Sequence, residues 1–168
     1  EASKVADRVI FVSEWLKKIY ITLGMNETKT KVIYAGADKT IFNLENTNFS
    51  IKEFERIKLV SHHWSDNWNK GFDIYKRIDD SIGQNYNSYE IEFTYIGNVP
   101  KYFEFKNSNL LNPLEGLDLA KELKKHDIYV TASINEPSGN HHIEAAQCGL
   151  PIIYRDSGGI PEYCDGFG

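Results

Sequence analysis

An alternation of short apolar runs with amphipathic ones, repeated along nearly the whole length, most constrains what this chain can fold into. Arg8–Val12 (RVIFV) reads as a strand, and Ser13 caps a helix in which Trp15, Ile19 and Leu23 recur at helical spacing before Gly24 stops it. Lys31–Tyr34 (KVIY) reads as a second strand. An irregular stretch follows, rich in the turn formers Gly36, Asp38, Asn43, Asn46 and Asn48, and it reads as a linker between units. The pattern then restarts. RIKLVSHH is a strand; KGFDIYKRIDDSIG is a helix with Phe72, Ile74, Tyr75 and Ile78 apolar; YEIEFTYIG alternates at period two through Ile91, Phe93 and Tyr95. An aromatic loop, NVPKYFEFKNSNLLNP, leads to the helix GLDLAKELKKH, with Leu117, Ala120 and Leu123 on one face. The strand DIYVTAS, the helix GNHHIEAAQCG and the strand LPIIYRD complete the series. Strands and helices alternating at these lengths predict right-handed βαβ crossovers, hence an α/β fold whose parallel sheet carries helices on both faces. Residues 1–45 read as the end of one unit with the linker, and residues 46–168 as a second unit. The first residues, EASKVAD, read as a helix entered part-way, and PEYCDGFG stops without a closing helix, so the chain is read as an excerpt of a longer protein.

Charge narrows the partners. Nineteen basic residues face 24 acidic ones, a net of −5, so nothing draws the chain as a whole toward nucleic acid or anionic lipid, and any phosphate recognition must be local. No apolar run approaches the ~18 residues of a membrane span and no signal peptide is present, which fits a cytoplasmic protein; any membrane association would come through parts outside this chain. Cys148 and Cys164 make neither a disulfide framework nor a metal-ligand spacing, and read as small buried residues.

In a parallel sheet, ligands sit at the carboxyl ends of strands, where strand-to-helix loops gather. That rule points to Ser61–Gly71, Gly97–Lys106, Ser133–His142 and Asp156–Glu162. The third loop carries the most chemistry. Glu136 stands just before a helix that starts near Gly139 or Asn140, and Glu144 lies in its early turns. A helix start offers unpaired amides and a positive dipole end that suit an anionic group, and glycine at 139 allows close approach to the backbone. Two carboxylates flanking such a start suit a ligand with hydroxyls at both ends and anionic charge between them, as in a nucleotide-activated sugar. The residues alone leave a second reading open, in which Glu136 is a solvated loop charge and Glu144 an early-turn glutamate favoured by the dipole. A second loop, Ser157–Gly158–Gly159–Ile160–Pro161–Glu162, arrives at the same sheet edge with amides that could meet a phosphate or a sugar hydroxyl.

Taken together, these stretches resemble the donor-binding signature of retaining glycosyltransferases of family 4, which have the GT-B fold. Glu136-Pro137-Ser138-Gly139, Glu144-Ala145-Ala146, Gly149-Leu150-Pro151 and Gly158-Gly159-Ile160-Pro161-Glu162 are similar to that family's paired glutamates and its G-G-x-P-E loop. Upstream, ADRVIFVSEWLKKIY resembles the end of the acceptor domain, KVIYAGADKTIFN the crossover, and KLVSHHWSDNWNKGFDIY the strand, loop and K-G-x-D element. The resemblance implies a Rossmann-like donor domain over residues 46–168 and a donor that is a UDP-, GDP- or ADP-sugar. It implies a glycan, lipid-linked or small-molecule hydroxyl acceptor and no metal or other cofactor. By the same resemblance Glu144 holds the ribose hydroxyls and Glu136 the sugar hydroxyls. The amides at Gly139, Asn140 and His141 face the sugar and diphosphate, Gly158 and Gly159 line the donor, and Lys70 neutralises the departing diphosphate. Neither glutamate is then a nucleophile, and the fragment on its own binds nucleotide without turnover.

Where the family places an arginine before that lysine, this chain has SHHWSDNWNKG, with no arginine. Protonated His62 or His63 could take its place, or Trp64 or Trp68 could stack on a base or sugar. The pairs His62–His63 and His141–His142 invite a metal reading, but no carboxylate or thiolate spacing completes a zinc site. Two other readings stay open: a sugar-nucleotide epimerase of the same architecture, and a sugar-nucleotide-binding module without activity, which the missing arginine favours.

Overall fold

The computed structural model describes residues 5–47, 56–84 and 90–166. Two parallel sheets are present among them. The small one pairs β1 (Val9–Phe11) with β2 (Thr30–Val32), and α1 (Glu14–Thr22) lies between them in sequence. The large one has five strands: β3 (Arg56–His63), β4 (Glu90–Gly97), β5 (Asn109–Leu111), β6 (Ile128–Thr131) and β7 (Ile152–Tyr154). Their spatial order is β5-β4-β3-β6-β7 and every pairing is parallel. The crossovers carry α2 (Phe72–Gly83), α3 (Gly116–Leu123) and α4 (Asn140–Gln147), and α5 (Pro161–Cys164) follows β7. This is the α/β arrangement that the alternation predicts. The order reverses at β3, which places the carboxyl ends of β3 and β6 at the switch point where such sheets bind ligands.

Alternation along β3 divides the core. Val60 faces one layer with Ile96, Leu119, Leu123, Tyr129, Ala145 and Cys148, and Leu59 faces the other with Phe72, Tyr75, Phe93 and Tyr95. The second layer is mostly aromatic, with Phe72, Phe103 and Phe105 meeting edge to face, for example at 4.9 Å between Phe72 and Phe103. The stretch read as a linker is partly anchored: Phe42 is buried in the first layer, with Ala37 and Ile41 against it. Its end at Asn48 lies outside the described residues, as do Tyr89 of the β4 reading and most of the opening helix. Cys148 and Cys164 are free and buried.

Three differences from the sequence reading have local causes. β5 forms inside the aromatic loop, because three residues with half-exposed leucines show no period yet find the free edge of β4. The carboxyl-terminal stretch closes in a single helical turn, with Pro161 at its first position, where the missing N–H costs nothing. The apolar face of α2 includes a carboxylate: Asp79 is fully buried and accepts from Lys106 N (2.9 Å), Asn107 N (2.8 Å) and Ser108 Oγ (2.8 Å). A buried charge is tolerated there because each oxygen is matched by a donor, and the bonds pin the end of the aromatic loop to the helix.

Gly71 joins the loop after β3 to α2 in the left-handed region (φ +102), and a Cβ there would lie 2.5 Å from Ala132 Cβ and 2.7 Å from Ala132 O. Gly71→Ala combines backbone strain with a clash against the β6 end. It is expected to lower unfolding free energy by about 2 kcal/mol in urea denaturation.

Candidate active site

β3 and β6 deliver their loops to one cavity of about 550 Å³. His62, His63, Lys70, Glu136, Gly139, Asn140, His141 and Glu144 all line it, together with Trp64, Ser138, Ile41 and Phe42. The sites read from two distant stretches of sequence therefore converge. Lys70 ends the 3₁₀ turn Trp68–Lys70, which Asn67 caps by accepting from Asn69 N (2.9 Å). The turn also fixes the opposite loop, since Asn69 O accepts from Ile134 N at 2.7 Å. This sets Lys70 against Glu136, and the two form an ion pair with side chains 24% and 13% exposed. Among the described residues, Lys70 is the only lysine or arginine lining the cavity. Its ammonium has three N–H donors, so Glu136 leaves others for a ligand.

α4 begins at Gly139, which provides no side-chain cap, so the first amides of this eight-residue helix open toward the cavity. The close approach at Gly139 is internal: a Cβ there would run into the ring of His141. Further along α4, Glu144 Oε2 accepts from His62 Nε2 at 2.9 Å. A carboxylate only accepts, so that ring nitrogen carries the proton, and His62 orients the carboxylate. His62 Nδ1 is buried without a hydrogen-bond partner among the described residues.

The other histidines are neutral. His63 and His141 stand with ring centroids 4.4 Å apart, and burial holds both well below the usual imidazole range, aided by the neighbouring histidines and Lys70. Tyr75 hydroxyl accepts from Ser61 Oγ (2.8 Å) and Ala132 N (3.3 Å), which leaves its one proton for His63 Nε2 at 3.0 Å. His63 thus lines the cavity without supplying a charge, and the Nε2 of His62 is directed to Glu144. His141 shares a hydrogen bond with Thr131 Oγ1 at 2.9 Å. His142 is pushed down to about 4, first by burial and also by His62, with Glu136 opposing. Among the described residues no group of three His, Cys, Asp or Glu is placed to hold a metal ion.

Gly158 and Gly159 fall outside the cavity lining and behind the Glu136 loop. Gly159 N donates to Glu136 O at 2.8 Å, and a Cβ on Gly158 (φ +70) would strike the backbone of Glu136. Their small size serves loop packing, and the amide of Gly159 already has its partner in Glu136 O. The bond between His62 and Glu144 had no local signal in the sequence, because its partners lie 82 positions apart.

A parallel sheet with the order β5-β4-β3-β6-β7, and a basic and acidic cleft at its switch point, is the architecture of a GT-B glycosyltransferase domain. Residues 29–167 match the model of glycosyl transferases group 1, and the chain belongs to that family. Among curated proteins, it is 33% identical to the GPI3 subunit of phosphatidylinositol N-acetylglucosaminyltransferase from Saccharomyces cerevisiae, over 56% of this chain and 23% of that protein. Among solved structures, Anabaena HepE in complex with UDP and glucose superposes with TM-score 0.72 at 19% identity, over 96% of this chain and 47% of that one. WaaG, a glycosyltransferase involved in lipopolysaccharide biosynthesis, gives 0.74 at 15%, over 94% and 46%. The chain thus spans about a quarter of its curated relatives and about half of these neighbours. No helix among the described residues is long and apolar enough to cross a membrane.

Proposed function

We propose that this chain is the donor-binding part of a retaining glycosyltransferase that passes a sugar from a nucleoside diphosphate to a hydroxyl acceptor. The observation that carries the reading is the meeting of Lys70, Glu136, Glu144 and the uncapped start of α4 around one cavity, at the switch point of a group 1 sheet. Glu144, held by His62, offers its second oxygen to the ribose diol. The α4 amides and the Lys70 ammonium face the diphosphate, and Glu136 receives sugar hydroxyls. As the bond between sugar and phosphate lengthens, negative charge grows on the leaving oxygen, and a fixed ammonium lowers the barrier because it interacts most strongly at that point. Glu136, neutralised by Lys70, is a holder of hydroxyls here and takes no covalent role. Retention follows from attack on the same face the diphosphate leaves, with the departing phosphate oxygen taking the acceptor's proton.

A uridine nucleotide is the donor class first to be tested, because HepE was captured with UDP and glucose. N-acetylglucosamine is the sugar favoured by the curated relative's name. Residues 1–45 then hold the end of the acceptor unit and the linker, and the acceptor is a glycan, a lipid-linked sugar or a small alcohol. Calorimetric titration of the protein with UDP tests the reading. UDP binds, and Glu144→Ala weakens it about 10–100-fold, the loss of a charged hydrogen-bond acceptor at a partly buried site. Unchanged affinity in that variant would show that Glu144 does not hold the ribose.

A further inference from the structure

Residues Glu162 and Tyr163, at the start of α5, make contacts across almost the whole chain that donor binding does not require. In α1, Ser13 Oγ accepts from Leu16 N (3.2 Å), which satisfies the third amide of the helix. The first two amides, Glu14 N and Trp15 N, donate to the two oxygens of Glu162 at 2.8 and 2.7 Å, across 148 and 147 positions of sequence. Tyr34 hydroxyl donates to the same carboxylate at 3.0 Å. A carboxylate from the large unit thereby completes the cap of a helix in the small one, where the dipole favours it. The hydroxyl of Tyr163 is also fully used. It donates to Val12 O and accepts from Ala35 N (3.1 Å) and from Ser138 Oγ (2.8 Å).

Ser138 adjoins the uncapped start of α4, so the same hydroxyl touches both units and the loop that carries Glu136. Gly159 closes the arrangement. A Cβ there would meet Pro137 O, and would lie 2.7 Å from Ser13 Cβ and 2.8 Å from Ser13 Oγ, while its amide donates to Glu136 O.

We propose that Glu162 and Tyr163 are positioning residues that latch the Glu136 loop to the amino-terminal unit, so that the sugar end of the cavity is shaped only when that unit is docked. No hydrogen bond joins either residue to Lys70 or Glu144. Their polar contacts reach the cavity through residues 136–138, and the Tyr163 ring, which Tyr163→Phe keeps, also packs edge-on against His142 of α4 at 5.4 Å. The sugar-specific part of this statement rests on the proposed function; the latch itself does not.

The test uses hydrogen exchange and titration with two probes, UDP and UDP-N-acetylglucosamine. Tyr163→Phe keeps the ring and removes the hydroxyl; Glu162→Ala removes the cap; Glu162→Gln keeps one acceptor oxygen and gives an intermediate result. Expected in Tyr163→Phe and Glu162→Ala is faster exchange at Glu14 and Trp15 and also at Ile134, Asn135 and Gly159, the hydrogen-bonded amides that hold the Glu136 loop. UDP affinity stays within about twofold, and the advantage of the UDP-sugar over UDP falls about tenfold. Faster exchange confined to α1, or an equal loss for both probes, would overturn the proposal, since the loop would then be independent of the latch or the whole cavity damaged. Should the parent protein bind neither probe, the glycosyltransferase reading fails, and the exchange pattern alone decides whether the latch exists.

Discussion

On the proposed function, Lys70→Ala is expected to slow sugar transfer by the full-length protein about 10²–10³-fold at saturating donor, the largest effect of any single substitution in the cavity. The reason lies in how few charges are available. Where a second cation would sit, β3 presents His63, which is buried and neutral, and His62, which donates to Glu144. On the proposed function, the part of the cavity that this chain forms offers the diphosphate one ammonium and the amides of α4. Lys70→Ala also strands the Glu136 carboxylate, 13% exposed, and removing one partner of such a pair costs stability as well as function. The double variant Lys70→Ala with Glu136→Gln separates the two effects. It should regain most of the lost stability in thermal melts and none of the lost transfer. A fall in rate below about threefold for Lys70→Ala would mean that the α4 amides alone stabilise the leaving group.

Acid should unfold this protein early, and the histidine cluster gives the sign. His142 titrates at about 4 when folded, against 6.5 for an unperturbed imidazole, and burial is the main cause. Between those values the unfolded chain binds the proton and the folded one does not, so unfolding gains free energy as pH falls. The contribution is fully present above 6.5, is lost progressively below it, and by pH 4 amounts to about 3 kcal/mol for His142 alone. His63 and His141 act in the same direction. Both ring nitrogens of His142 lack a hydrogen-bond partner among the described residues, so an apolar ring should be accepted there at neutral pH. His142→Phe is expected to leave the urea midpoint at pH 7 nearly unchanged and to flatten its fall between pH 7 and pH 4 by about 3 kcal/mol. An undiminished slope in that variant would place the acid sensitivity elsewhere.

The elements legible in the sequence were those whose signal is local. β3, read from RIKLVSHH, spans Arg56–His63, because Ile57, Leu59 and Val60 alternate with polar residues before the strand runs into the interior. Ser13 caps α1 as its position predicts. The convergence of Lys70 and Glu136 followed from the rule for strand ends and needed no contact information. What stayed hidden was pairwise and distant. The proton on His62 faces Glu144 only because β3 and α4 meet, and Asp79, which periodicity places on the apolar face of α2 with Phe72 and Tyr75, finds its donors 27 to 29 positions away. The Gly158–Gly159 pair illustrates a different limit. Glycine reports that something comes close, and the sequence does not say whether it is a ligand or, as at Gly159, the protein's own Ser13 and Pro137.

The buried carboxylate of Asp79 has a bearing on when the aromatic segment becomes ordered. It fixes Lys106, Asn107 and Ser108, and Asn107 in turn lies over Gly83, where a Cβ would be 2.6 Å from its Nδ2. The aromatic segment between β4 and β5 is thus anchored at its far end before anything binds. Conformational freedom in that segment is surrendered when the chain folds, so the aromatic layer that Phe103 and Phe105 complete is set by folding alone.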